Sequence, residues 1–205
     1  MMESLSGLCS AIVRCRECDL HFSRKKAVCG TGPKDAPMMI VGEAPGSAED
    51  EAGIPFVGRS GKLLNEVLAS LKVSRSEIYI TNSVRCRPKV GQAPKINEVR
   101  TCSRYLKEEI SIVSPRLVVP MGNSALFALG FVLDKKFEKI SEVAGKLMDC
   151  GMFFVFPQFH PAAILRNPKR REYFVENFQK AVWLLRDIQS MPRLEIARKY
   201  RALSI

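Results

Sequence analysis

Four cysteines have the spacing of metal ligands: Cys15 and Cys18 form a C-x-x-C pair, and Cys86 and Cys102 follow with fifteen residues between them. Such a thiol set suits tetrahedral zinc or an iron–sulfur cluster. C-x-x-C is also the signature of a thioredoxin-like redox pair, but that motif needs a preceding strand, and none is predicted here. Cys86 lies in Thr-Asn-Ser-Val-Arg-Cys-Arg-Pro, close to Asn82, whose planar amide offers the donor and acceptor needed to read a base edge. Two more reactive groups follow apolar runs: Glu43 in Gly42-Glu43-Ala44-Pro45-Gly46, and His160 in Gln158-Phe159-His160-Pro161. A carboxylate and an imidazole are the usual general acid–base pair. Taken singly, an Asn after a strand is an ordinary turn former and a lone His an ordinary core residue.

These groups must be positioned by the elements around them. Met38-Met39-Ile40-Val41 is a continuous apolar run of the kind a strand buried on both faces shows. Ile78-Tyr79-Ile80, Leu117-Val118-Val119 and Phe153-Phe154-Val155-Phe156 read as three further strands. Helical spacing of apolar residues predicts helices over 3–14, around Leu63–Leu71, over 96–112, over 122–129 and over 172–188. Strands alternating with helices imply an α/β fold, a mostly parallel four-stranded sheet covered on both faces. Such folds bind ligands at the carboxyl ends of their strands, and Glu43, Asn82 and His160 all sit at such ends. They converge if the strand order allows it.

The 205 residues fit one domain, expected over 1–190, with a basic tail over 191–205 whose Arg198-Lys199-Tyr200-Arg201 is read as disordered or DNA-touching. A net charge of +11 spread along the chain favours a polyanionic partner, nucleic acid before a membrane surface. No run approaches the roughly 20 apolar residues of a spanning helix, and the start lacks the regions of a secretion signal. The expectation is therefore a cytoplasmic monomer, nucleoid-associated in a prokaryotic cell. In a reducing compartment, Cys9, Cys29 and Cys150 are read as free buried thiols.

Gly-Glu-Ala-Pro-Gly at 42–46, Pro-Phe-Val-Gly-Arg-Ser-Gly at 55–61, Thr-Asn at 81–82, Cys-Arg-Pro at 86–88 and His-Pro-Ala at 160–162 occur in one order with the four cysteines. In these motifs the chain resembles the family 4 uracil-DNA glycosylases, the iron–sulfur branch of their superfamily, over about residues 8–188. The resemblance implies a three-layer α/β/α sandwich and a [4Fe–4S] cluster on Cys15, Cys18, Cys86 and Cys102. It implies excision of uracil from single- or double-stranded DNA, the base being flipped out of the stack and its glycosidic bond hydrolysed by an activated water. Glu43 would orient that water and His160 would stabilise the departing base. Gly42, Ala44, Pro45, Gly46, Phe56 and Asn82 would hold the base, by stacking on Phe56 and by hydrogen bonds to Asn82. Glu49, otherwise a solvated loop carboxylate, would exclude the methyl group of thymine. Arg59, Ser60 and Gly61, with the backbone N–H groups of Gly46 and Gly58, would cradle phosphates. Arg85, Arg87 and Arg166, with Lys169, Arg170 and Arg171, would attract the DNA backbone.

The chain departs from the family pattern at Ser60, at Lys89-Val90-Gly91-Gln92 and at Val119-Pro120-Met121, none of which removes a catalytic group. It lacks the inserted basic loop of a covalent-trapping branch, so turnover is expected. Without an evident lysine nucleophile, strand cleavage is not. Two other readings stand beside this one: a noncatalytic, metal-stabilised DNA-binding module of the same fold, and zinc in place of the cluster.

Overall fold

The computed structural model describes residues 4–200. In chain order the elements are α1 (Leu5–Arg14), α2 (Leu20–Ser23), β1 (Met38–Gly42), α3 (Ser47–Ala52), α4 (Arg59–Ser70), β2 (Ile78–Asn82), α5 (Ile96–Val113), β3 (Leu117–Pro120), α6 (Asn123–Leu133), α7 (Ile140–Val143), β4 (Met148–Asp149), β5 (Phe154–Val155), α8 (Pro161–Arg166), α9 (Arg171–Ser190) and α10 (Arg193–Lys199). The strands form one sheet in the order β2-β1-β3-β5-β4. β1 pairs in parallel with β2 and β3, β3 pairs in parallel with β5, and β4 runs antiparallel at the edge.

The expected four-stranded sheet thus gains a fifth strand. Gly151, at φ 81, turns the chain tightly enough for the short β4 to fold back on β5, a hairpin too short to leave a hydrophobic pattern. Alternation along each strand sorts the core into two layers. Met39, Val41, Tyr79, Val118 and Val155 face α1, α5, α6 and α7, whereas Met38, Ile40, Ile80, Val119 and Phe156 face α4, α8 and α9. The outer edge of β2 is covered by Thr31, which exchanges two backbone hydrogen bonds with Ile80 at 2.9 and 2.7 Å.

Two expectations fail in the periphery. Cys9 and Cys29 are joined in a disulfide, because packing of α1 brings their Cα atoms to 5.5 Å, a separation that a disulfide spans. Residues 191–200 are not a loose tail: Ile196 of α10 is buried, Tyr200 and Lys199 bond to Asp187 of α9, and Arg193 pairs with Asp149. Arg201, the last of the basic group expected there, lies outside the described residues. Docking of α10 has a measurable consequence. Ile196→Ala is expected to cost about 2–5 kcal/mol in urea unfolding, whereas the exposed Leu194→Ala stays within about 0.5 kcal/mol.

Candidate active site

The carboxyl ends of β1 and β2 open, with the loops that follow α3 and β5, on a cavity of about 480 Å³. Glu43, Phe56, Asn82 and His160 all line it, together with Ala44, Pro45 and the loop Arg87–Gln92. Gly42 is the point of closest approach. A Cβ on it would lie 2.4 Å from Asn82 Oδ1 and 2.5 Å from the Phe56 ring, so only the bare backbone of β1 lets amide and ring share one corner. Asn82 is 3% exposed, and among the described residues no protein group bonds its side-chain amide. An amide held in the wall with its donor and acceptor free is ready for a ligand.

Phe56 adopts φ 55, which few non-glycine residues do, and two contacts hold it there. Arg75 donates from Nη2 to the Pro55 carbonyl at 2.5 Å and from Nη1 to the Phe56 carbonyl at 3.3 Å. From below, the helix start of α4 presses against the same peptide, since a Cβ on Gly61 would lie 1.8 Å from the Phe56 oxygen. The ring is fixed 5.7 Å from the imidazole of His160, at 36° to it.

Glu43 follows β1, and its Oε2 accepts a hydrogen bond from Ser124 Oγ at 3.0 Å. Ser124 stands in the first turn of α6, after β3, and it had escaped the sequence reading although a strand, a glycine and a helix start mark the place. His160 caps α8, with its Nδ1 accepting the Ala162 N–H at 3.2 Å. A backbone amide can only donate, so Nδ1 is bare and the ring proton sits on Nε2. Desolvation, then the positive charge of Arg166, brings the imidazole down to about 4. At neutral pH His160 is therefore an uncharged Nε2–H donor.

Several other assignments shift. Glu49 is a buried clamp and no solvated loop carboxylate: Oε2 accepts from the Gly46 N–H at 3.0 Å and Oε1 from the Gly58 N–H at 2.7 Å. Those two N–H groups are consequently not open to phosphate. Gly61 is buried beneath the Phe56 peptide and does not reach solvent, so its DNA-binding assignment falls to packing. Arg85 is 1% exposed and ion-paired to Glu109, which removes it from any DNA surface. Arg59 and Arg166 are exposed, Ser60 and Arg87 line the cavity, and Arg87 also approaches Asp50 at 4.0 Å.

Behind β2, Cys15, Cys18, Cys86 and Cys102 line a second, smaller cavity between α1, α5 and the segment after β2. All four are free thiols. Burial pushes Cys102 up to about 12 and raises Cys18 and Cys86, so that ionising them needs a cation in their midst. Arginine donors already flank the sulfurs: Arg24 Nη1 is 3.0 Å from Cys86 Sγ and Arg104 Nη2 is 3.7 Å from Cys15 Sγ. Among the described residues no three ligand side chains gather tightly enough for a single metal ion.

The clamp at Glu49 makes the wall testable. Glu49→Ala removes two hydrogen bonds to a carboxylate and is expected to cost about 1.5–3 kcal/mol in chemical unfolding. Glu49→Gln, which keeps an acceptor for one of the two amides, is expected to lose less.

The family model for the uracil DNA glycosylase superfamily matches residues 29–182. A type-4 uracil-DNA glycosylase of Archaeoglobus fulgidus is 39% identical over 87% of this chain and 92% of its own. One of Pyrobaculum aerophilum is 42% identical over 83% and 89%, and one of Thermotoga maritima is 38% identical over 83% and 88%. A type-5 uracil-DNA glycosylase of Pyrobaculum aerophilum is also similar, at 30% identity over 68% of this chain and 67% of its own. With its parallel sheet and the four motif groups gathered on one cavity, the chain belongs to the uracil DNA glycosylase superfamily, in its type-4 branch.

Proposed function

We propose that this protein is a monofunctional uracil-DNA glycosylase that flips uracil out of DNA and hydrolyses its bond to deoxyribose, leaving an abasic site for base excision repair. The observation that carries this reading is the convergence of a carboxylate, a free amide, an aromatic ring and a neutral imidazole donor on one cavity. Extrahelical rotation costs a few kcal/mol of stacking and pairing, and stacking on Phe56 returns about 1–3 kcal/mol. Asn82 pairs with the O4 and N3–H edge of uracil and meets cytosine with the wrong polarity at both atoms. A pocket built on hydrogen bonds rejects such a base far better than an apolar one does. Glu49, held rigid by its two backbone amides, closes the wall against the methyl group of thymine.

In the transition state the sugar becomes cationic and the base anionic, as in other glycoside cleavages. Glu43, with Oε2 held by Ser124, turns its other oxygen to a water at C1′ and lends negative charge to the cationic sugar. His160 donates its Nε2–H to uracil O2 as charge builds there. A neutral donor suffices, because the acceptor becomes more basic only as the bond breaks. Arg59, Ser60, Arg87 and Arg166 bind flanking phosphates, with Lys169, Arg170 and Arg171 adding diffuse attraction.

The cysteine-lined cavity suits a [4Fe–4S] cluster better than zinc, whose sulfurs would all have to lie about 2.3 Å from one ion. When bound, the cluster supplies a cross-link among α1, α5 and the segment after β2, and no catalytic step passes through it. The glycosylase unit, expected over 1–190, takes in the docked α10 as well; it works as a monomer on single- or double-stranded DNA and resides with the nucleoid in a prokaryotic cell. No helix among the described residues is long and apolar enough to cross a membrane.

Two measurements test the reading. Glu43→Gln and His160→Ala are each expected to lower single-turnover excision from a uracil-containing duplex by about 10²–10³-fold while DNA affinity stays within a few-fold. Binding of uracil-containing DNA without excision by the wild type would leave the noncatalytic DNA-binding module as the better account, and unchanged turnover in both variants would remove these two residues from the chemistry. The pH profile tests the histidine. Since His160 stays neutral down to about 4, its protonation should bring no loss of kcat/KM as pH falls through 6.5, the ordinary imidazole value, and a loss only on approach to about 4. Activity that rises as pH falls through 6.5 would mean that the imidazolium is the working form.

A further inference from the structure

The thiols are not the only buried groups around the second cavity. Arg85 lines it too, with a side chain 1% exposed. Its Nη2 donates to Glu109 Oε2 at 2.6 Å, yet Nε and Nη1 are buried and have no hydrogen-bond partner among the described residues. Glu109 is fully committed on its other oxygen, which accepts from Tyr79 Oη at 3.2 Å and Thr81 Oγ1 at 3.1 Å. A buried ion pair that satisfies the anion and strands two donors of the cation is costly, since each buried donor left unmade keeps its full desolvation penalty. Neutral thiols are poor acceptors for those donors. The thiolates and inorganic sulfides of a cluster would be anionic acceptors in the cavity that Arg85 lines with Cys18, Cys86 and Cys102.

We propose that Arg85 is a positioning residue for the iron–sulfur cluster, donating Nε–H and Nη1–H to cluster sulfur while Glu109 holds the guanidinium from behind. This rests on the cluster reading given above. Cys102 and Glu109 lie two turns apart on the buried face of α5, and Arg85, the chain neighbour of Cys86, pairs with Glu109 on that face. The same carboxylate holds Thr81, the neighbour of Asn82 on β2. Cluster binding would therefore complete the bonding of a pair that also anchors the strand end bearing the base-reading amide. Lysine cannot replace arginine here, because one ammonium group that holds Glu109 cannot also present donors at the places of Nε and Nη1.

The test compares anaerobically purified wild type with Arg85→Lys and with the charge-neutral double variant Arg85→Met with Glu109→Gln. Iron and sulfide per chain, absorption near 400 nm, the reduction potential of the cluster and the rate of iron loss to a chelator are measured on each. Wild type is expected to be brown, with near four irons per chain. The double variant is expected to load the cluster but to release iron roughly tenfold faster and to show a more negative potential, since donors to sulfur favour the reduced cluster. Arg85→Lys should fall between the two. Should the double variant not fold, Arg85→Lys alone decides, because it keeps the charge opposite Glu109 and removes only the donors at Nε and Nη1. A potential and an iron-loss rate equal to wild type in the variants that fold would overturn the proposal and leave Arg85 a structural ion pair. Colourless wild type without iron, or with one zinc, would overturn it by removing the cluster itself, and uracil excision assayed on that same sample would tell whether the glycosylase reading survives.

Discussion

The missing side chain of Gly42 is the constraint on which the site depends. β1 lies between β2 and β3, and its last residue must pass between the amide of Asn82 and the ring of Phe56 with no room for a methyl group. Because the two strands are in register, with Gly42 opposite Asn82, main-chain hydrogen bonds place the residue and its side-chain amide needs none of its own. That leaves both of its polar atoms free. Phe56 is fixed differently, by Arg75 on its carbonyl side and by Gly61 beneath, which together hold a backbone conformation the residue would otherwise avoid. One wall of the cavity is thus rigid sheet, and the opposite wall is a loop strained into place.

Rigidity of this kind has to be supported from behind, and β2 receives most of the support. Its three polar residues divide the work: Tyr79 and Thr81 turn to Glu109 in the core, and Asn82 turns to the cavity. The carboxylate of Glu109 is fully buried, and burial raises its pKa even though Arg85 opposes the shift. An arrangement so dependent on one charged pair has little tolerance for movement, since displacing either partner leaves a charge without compensation. Local order at the strand end is the functional return, because an amide that reads a base by polarity loses its meaning if it can rotate. The disulfide at Cys9 and Cys29 and the thiols on α1 fasten the N-terminal segment over the same region.

Most of the frame was legible in the sequence. The apolar runs at 38–41, 78–80 and 117–119 are strands because they are buried on both faces, and an uninterrupted run leaves them no other place in the fold. Glu43, Asn82 and His160 could be expected to meet once the strands were parallel, since parallel strands send their carboxyl ends the same way. Long-range partners could not be read. Nothing near Arg85 in the chain distinguishes it from a surface arginine, and only Glu109, twenty-four residues away, makes it a buried one. The clamp made by Glu49 was hidden for the opposite reason: it stands in an acidic stretch, and its two amide partners belong to different turns brought together only by folding. The short β4, α3 and α8 carry too few residues to impose a period. The docking of α10 rests on the buried Ile196 and on charge pairs with distant residues.

Charge in this molecule is sorted by depth. The net charge of +11 is spread over the surface, and around the cavity Arg59, Arg87, Lys89 and Arg166 stand at or near the mouth. Deeper in the cavity stand two carboxylates, the half-buried Glu43 and the buried Glu49, each held by hydrogen-bond donors. A polyanion is therefore drawn to the rim by charges that remain hydrated, while the buried groups face only what enters the cavity. A cationic imidazole would break this order, adding a positive charge beside Arg166 in a place where desolvation already disfavours it. Neutral His160 keeps the two regions distinct: the rim binds phosphate whatever the base, and the interior, with an amide, a carboxylate and an uncharged donor, answers to the base alone.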